Sequence, residues 1–185
     1  FVLTVPYLFI EAFQSSEDYY SRPFYASILR MLRFVAYFIS VFAPALYVAL
    51  TTYHQEMIPP DMLISMAAAK EGTPFPAFVE AMIMGIIYEI LKEAGVRLPR
   101  PVGQAISIVG ALVIGEAAVS AGLIGAPMVI VVSLTAISSY VVSSINDTVS
   151  IMRLVYVLMA GFLGLFGIMI ATAGFLTHML SLRSF

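Results

Sequence analysis

An all-α, polytopic integral membrane helical domain is the fold class that this sequence predicts, and three observations predict it. Of 185 residues, 61% are hydrophobic and only 11% are charged, where a soluble domain carries about 25% charged residues. Mean hydropathy is +0.99. Apolar stretches close to the roughly 20 residues that a crossing helix needs recur along the chain, separated by short polar or proline-bearing breaks. The expectation is about five transmembrane helices, over 34–53, 76–94, 102–122, 127–144 and 154–176, with short interfacial or re-entrant helices between them.

The elements follow in order. Residues 1–13 are apolar but too short to cross, and suit a half-inserted elbow. The stretch opens on Phe1 without a basic leader, so the chain, 1–185, reads as a fragment, or as a membrane domain cut from a longer protein. "QSSEDYYSR" (14–22) then breaks the hydrophobicity, with Ser15 or Ser16 as a helix cap and Glu17 and Asp18 at the positive end. The first span holds Pro44 near its middle, which predicts a kink. Pro59 and Pro60 start, and Gly72 stops, a short amphipathic helix expected at the interface.

The segment 74–95 carries Glu80, Glu89 and Glu93 and is expected to be a membrane helix buried among neighbours. Nine residues separate Glu80 from Glu89, which places these buried acids on opposite faces. Glu93 and Arg97 are four apart and pair if the helix continues. "RLPRP" (97–101) is a stiff basic elbow, "LIGAP" (123–127) a tight turn, and "SINDTVSIMR" (144–153) a polar loop. Arg30 and Arg33, then Lys92, Arg97 and Arg100, then Arg153 fall on one side of a membrane crossed in this way, the cytoplasmic side by the positive-inside rule. Arg183 is left on the other side unless a re-entrant segment reverses the count.

A net charge of −2 without a basic run gives no footprint for nucleic acid. With no cysteine there is neither a disulfide nor thiolate chemistry. His54, Glu56 and Asp61 form the one cluster resembling metal ligands, but His178 is far away and no zinc motif occurs. An ordinary interfacial polar group is the better reading, so no metal and no cofactor are expected. Nucleophile-elbow, dinucleotide and P-loop patterns are absent as well, and no catalytic residue is assigned. An enzyme is not expected.

The span 102–122 carries two stripes. Ser107, Ala111, Gly115, Ala118 and Gly122 form a small-residue face suited to close helix packing, as do Gly161, Gly164 and Gly167 in the last span. A hinge at the latter glycines is the alternative. The adjoining stripe, Ile106, Val109, Val113, Glu116 and Ser120, is apolar with a carboxylate and a hydroxyl toward one end. Glu116 is either a structural buried acid or a lining residue of a water-filled path. Repeated about a symmetry axis, this stripe would make a carboxylate ring next to a hydrophobic constriction at Val109 and Val113, an arrangement that favours cations and gates by dewetting.

Several long strings carry a resemblance: "ALYVALTTYHQEMIP" (45–59), "GTPFPAFVEA" (72–81) and "EAGVRLPRPVGQAISIVGALVIG" (93–115), together with "QSSEDYY" (14–20) and "SLRSF" (181–185). In these the chain resembles the membrane domain of the A subunit of GerA-type spore germinant receptors, a domain shared with a stage V sporulation paralogue. The resemblance implies an endospore-forming bacterium, the spore inner membrane, and a cytoplasmic region ahead of this domain. It also implies a transporter-like B subunit, a lipoprotein C subunit, and homo-oligomers, pentamers, that form a nutrient-gated ion channel. Two departures stand out. The family usually has glutamine where this chain has Glu116, in a string like "VIGQAAV", so a channel does not require charge there. The loop 143–152 lacks the proline expected after the fourth span.

Three functions follow as expectations. The leading one is a gated, cation-conducting homo-oligomer, with His54 to Pro60 and "RLPRP" transmitting a partner's movement. The others are a secondary transporter using Glu80, Glu89 or Glu116 as a proton relay, and a non-conducting scaffold for the B and C subunits.

Overall fold

The computed structural model describes residues 9–20, 22–97, 99–142 and 145–181. The expectations for residues 1–8, for Ser143 and Ser144 and for Arg183 fall outside them. Among the described residues the regular structure is entirely helical. Two short 3-10 turns precede six α-helices, and a third (Gln55–Met57) joins the first two: α1 (Pro23–Thr52), α2 (Pro60–Lys70), α3 (Ala77–Val96), α4 (Arg100–Ser120), α5 (Ala126–Val141) and α6 (Asn146–Ser181). By length and composition, α1 and α6 are the two helices apolar enough to cross a membrane. The outer surface is apolar over long stretches, with Phe24, Met31, Ile130, Phe162 and Met169 all largely exposed.

Prolines and glycines set most of the boundaries. Proline stands in the first turn of α1, α2, α4 and α5, where the missing N–H would have had no partner. Gly72 and Gly122 end α2 and α4 at positive φ. Gly122 closes a Schellman turn, in which the Leu123 N–H donates to the Ala118 carbonyl at 2.9 Å. α1 begins eleven residues before the expected span and runs on through Pro44, which is buried. α2 has the expected limits but is not amphipathic: Met62 and Ile64 are exposed, Leu63 and Met66 half-buried, and none of its residues is buried.

α6 departs most from expectation. The stretch 154–176 reads as one span, yet Gly164 adopts φ 61° and ψ −139° and breaks the helix. The Tyr156 hydroxyl donates to Thr172 Oγ1 at 3.2 Å. Sixteen residues of straight helix would hold those atoms about 24 Å apart, so the second arm folds back along the first. Tyr53 and His54, at the end of α1, close against Gly164. The Tyr53 hydroxyl donates to the Gly161 carbonyl at 2.8 Å, satisfying an orphan acceptor at the end of the first arm.

Paired contacts fix the directions of α1 and of α3 to α6. α1 and the first arm of α6 run parallel, since Phe42 meets Tyr156 and Tyr53 meets Gly161. α3 runs against them, with Phe78 at Gly161 and Glu89 at Arg153. α4 pairs with α3 from Gly103 at Gly95 to Gly115 at Met84, and α5 returns from Val129 at Gly115 to Ser139 at Tyr88. The second arm of α6 comes back to Phe9, which also touches Tyr37. One end of the bundle therefore holds Arg30, Arg33, Lys92, Arg97 and Arg153 together with the C-terminal end of α6.

At the basic end the segment before α1 is clamped down. Arg33 reaches Asp18 through two hydrogen bonds, at 2.6 and 2.8 Å, and also donates to the Phe13 carbonyl at 3.0 Å. The Arg33 guanidinium holds the Asp18 carboxyl down at about 2, from an ordinary 3.8, helped by the Ser15 N–H. Because the folded value is the lower one, the pair contributes its full stability above pH ~4 and loses it as pH falls through ~2. The melting temperature of an Asp18→Asn variant is therefore expected below that of the parent at neutral pH, with the two converging toward pH ~2. An unchanged gap across that window would contradict the clamp.

Candidate functional site

Three charged features occupy helices that are otherwise apolar, and each is built differently. Glu80 lies in the first turn of α3, its side chain fully enclosed. Lys70, the last residue of α2, brings Nζ to 3.5 Å from Glu80 Oε2 and to 5.4 Å from the centre of the Tyr47 ring on α1. Neither carboxylate oxygen has a hydrogen-bond donor among the described residues, and the buried Tyr47 hydroxyl also lacks a partner. The site thus holds a carboxylate that a single cation compensates. Its lysine comes from a helix with no buried residue of its own.

Glu89, two and a half turns further along α3, faces the other way. It pairs with Arg153 of α6 and lies 3.6 Å from Lys92 Nζ. Lys92 donates to Ser150 Oγ at 2.6 Å, and Arg153 stacks over the Tyr88 ring at 4.8 Å. The Tyr88 hydroxyl shares a 2.6 Å hydrogen bond with Ser139 of α5. This network ties α3, α5 and α6 at the basic end. Glu93 pairs with Arg97 at 3.1 Å on the exposed surface, as helical spacing allows.

Beside the network a slot of about 430 Å³ opens between α3 and α6. Its mouth is formed by Ile86, Ile90 and Leu154, which are exposed, and it reaches Pro44 of α1 and Val132 and Thr135 of α5.

The third feature is α4. Ser107, Ala111 and Gly115 are buried and Ala118 is half-buried. Ser107 Oγ donates to the Leu91 and Gly103 carbonyls at 2.9 Å, and a side chain at Gly115 would strike Val129. Gly122 differs from its expected packing role: a Cβ there would meet nothing, and the residue serves its positive φ. In α6, Gly161 abuts Phe78 and Gly167 abuts the Met159 carbonyl, while Gly164 is the reversal itself. On the other side of α4, Ile106, Val109, Val113, Glu116 and Ser120 are all exposed, Val109 at 56% and Val113 at 58%. Within one copy of the chain Glu116 is not a buried acid. It stands on an outward apolar face, one turn from the end of α4.

Sequence reasoning missed Arg153 as a partner of Glu89 because the two are 64 residues apart, and it passed over Lys92, one turn from Glu89, and Lys70, ten residues before Glu80. It also missed Gly95 and Gly103, whose backbones cross so closely that a side chain on either would overlap the other helix. Their placement on both sides of "RLPRP" was the available signal.

The comparisons bear on the same residues. The Bacillus/Clostridium GerA spore germination protein family matches residues 1–185. Spore germination protein KA of Bacillus subtilis (strain 168) is 51% identical over the whole of this chain, which covers 34% of that protein. An uncharacterized membrane protein of the same organism, YfkQ, is 49% identical with 36% of its length covered, and spore germination protein GerLA of Bacillus cereus 46% identical with 38% covered. The chain spans about a third of the length of the curated relatives it matches. No solved structure matches it. By a match that runs from its first residue to its last, the chain belongs to the Bacillus/Clostridium GerA spore germination protein family.

Proposed function

We propose that this chain is the membrane domain of a germinant-receptor A subunit, and that copies of it assemble around α4 into a gated, cation-conducting channel. The observation that carries the reading is the outward stripe of α4. Glu116 stands one turn from the end of α4, on an exposed apolar face where a carboxylate against lipid is costly, and water or protein against it would remove that cost. A ring of α4 helices supplies both, with Glu116 and Ser120 toward one mouth and Val109 and Val113 forming the narrow apolar part. α1, α3, α4, α5 and the two arms of α6 would then make six crossings of the spore inner membrane, with the basic end in the cytoplasm. The B subunit and the lipoprotein C subunit are the partners that the family resemblance brings, and a pentamer is the assembly.

Single cysteines from Ala105 to Ala121 in the full-length protein, oxidised in native membranes, test the arrangement, since the chain itself has no cysteine. Cross-links between copies are expected at Val109, Val113 and Ser120 and not at Ala111 or Gly115, which the protomer buries. Cross-links at the buried positions, or at none, would sink the shared pore. Glu116→Ala is expected to lower cation selectivity in reconstituted membranes; an unchanged reversal potential would remove Glu116 from the path.

A secondary transporter is the second reading, favoured by the enclosed Glu80 carboxylate, which has Lys70 at 3.5 Å but no hydrogen-bond donor among the described residues. Saturable uptake coupled to a proton gradient, abolished in Glu80→Gln, would support it over ohmic conductance.

A further inference from the structure

We infer that the slot between α3 and α6 is a lipid site: it takes one acyl chain of a bilayer phospholipid, with the headgroup at the Glu89–Arg153 pair. The inference rests on the membrane-embedded reading above, because the slot opens sideways on the apolar outer surface.

Shape makes the first argument. The mouth residues Ile86, Ile90 and Leu154 are exposed, whereas the floor at Pro44, Val132 and Thr135 belongs to the buried interior. A helix is about 10 Å across with its side chains and cannot reach that floor from outside. A slender, flexible apolar chain can. A volume of about 430 Å³ is also that of a ligand cavity rather than of a packing defect.

Gly85 makes the second. It lines the slot in the middle of α3, where glycine costs about 1 kcal/mol against alanine. Its neighbours in the fold justify their cost: a side chain at Gly95, Gly103 or Gly115 would overlap an adjoining helix. At Gly85 a Cβ would meet nothing within 4 Å. Packing within the chain does not require this glycine, but an open slot does.

Charge makes the third. The walls are apolar except at the basic end, where Glu89 and Glu93 are exposed carboxylates and Arg153, paired with Glu89, is enclosed behind them. The exposed carboxylates complement the ammonium of a zwitterionic headgroup and disfavour an anionic one. The expected lipid is therefore phosphatidylethanolamine from the leaflet at the basic end.

The test uses the full-length protein in phosphatidylethanolamine–phosphatidylglycerol vesicles, carrying a phosphatidylethanolamine with a diazirine on one acyl chain. After photolysis, adducts are mapped by peptide mass spectrometry. They are expected to concentrate on 82–90 and 154–157 above the level on the outer face of α1 near Phe24 and Met31. Gly85→Leu and Thr135→Leu narrow the slot from opposite walls, so a folding defect in one leaves the other informative. Each is expected to lower slot adducts roughly ten-fold, equivalent to about 1.4 kcal/mol, with α1 adducts unchanged. Slot adducts no denser than those on α1, or indifferent to both variants, would overturn the inference and leave the membrane reading standing. Adducts missing from α1 as well would overturn both.

Discussion

Lys70→Met is expected to destabilise the full-length protein by about 3 kcal/mol, because it strands the enclosed Glu80 carboxylate without any compensating charge. Nothing else on hand absorbs the loss. Glu80 has no hydrogen-bond donor among the described residues, and the Tyr47 hydroxyl near it is itself unpartnered. Arg153→Met provides the internal comparison. Glu89 would keep Lys92 at 3.6 Å and is 39% exposed to begin with, so water and a second cation share its charge. The smaller loss is therefore expected at the arginine, although that side chain makes the closer ion pair. Adding Glu80→Gln to Lys70→Met should recover most of the stability, since it removes the stranded charge rather than restoring the pair. Thermal melting of the four proteins in one detergent decides the matter. Equal losses at Lys70 and Arg153 would mean that Glu80 reaches water in solution.

The second large effect concerns the reversal of α6. A side chain at Gly167 would overlap the Met159 carbonyl group, which is backbone inside the opposite arm and cannot turn aside. Gly167→Leu is expected to force the arms apart, with a stability loss of about 3 kcal/mol or more. Gly164→Ala adds a separate cost of roughly 1–3 kcal/mol, because φ 61° with ψ −139° lies where only glycine is comfortable. Spin labels at Ile151 and Leu176 give the direct reading. In a straight helix those positions stand about 37 Å apart, whereas the hairpin holds them as near neighbours. A short distance in the parent that lengthens in Gly167→Leu is the expected result. A distance near the straight-helix value in the parent itself would rule out the reversal.

These two cases show where sequence reasoning stopped. α2, α4 and α5 begin within two residues of their expected limits, because proline and glycine act locally and a missing N–H or a positive φ is legible from one residue. The small stripe and the outward stripe of α4 also follow from helical spacing alone. Hydropathy, however, does not record direction. The 154–176 stretch is equally apolar whether the chain continues or doubles back at Gly164, and the glycine's φ is set by Tyr53 and His54 arriving from α1, more than a hundred residues earlier. Glu93 and Arg97 were legible as a pair from their spacing, whereas Arg153, 64 residues from Glu89, was not legible as its partner.

By itself, then, the sequence determined an apolar, all-helical chain, where α2, α4 and α5 begin, and the family to which it belongs. Those depend on composition, on local backbone chemistry and on long unbroken strings. Tertiary structure alone decided which carboxylates are compensated, that α6 is a hairpin, that a slot stands open beside Gly85, and that Glu116 looks outward from its own protomer. Each of these is a distance between residues far apart in the chain, and apolar packing brings such residues together without leaving a mark on the local pattern.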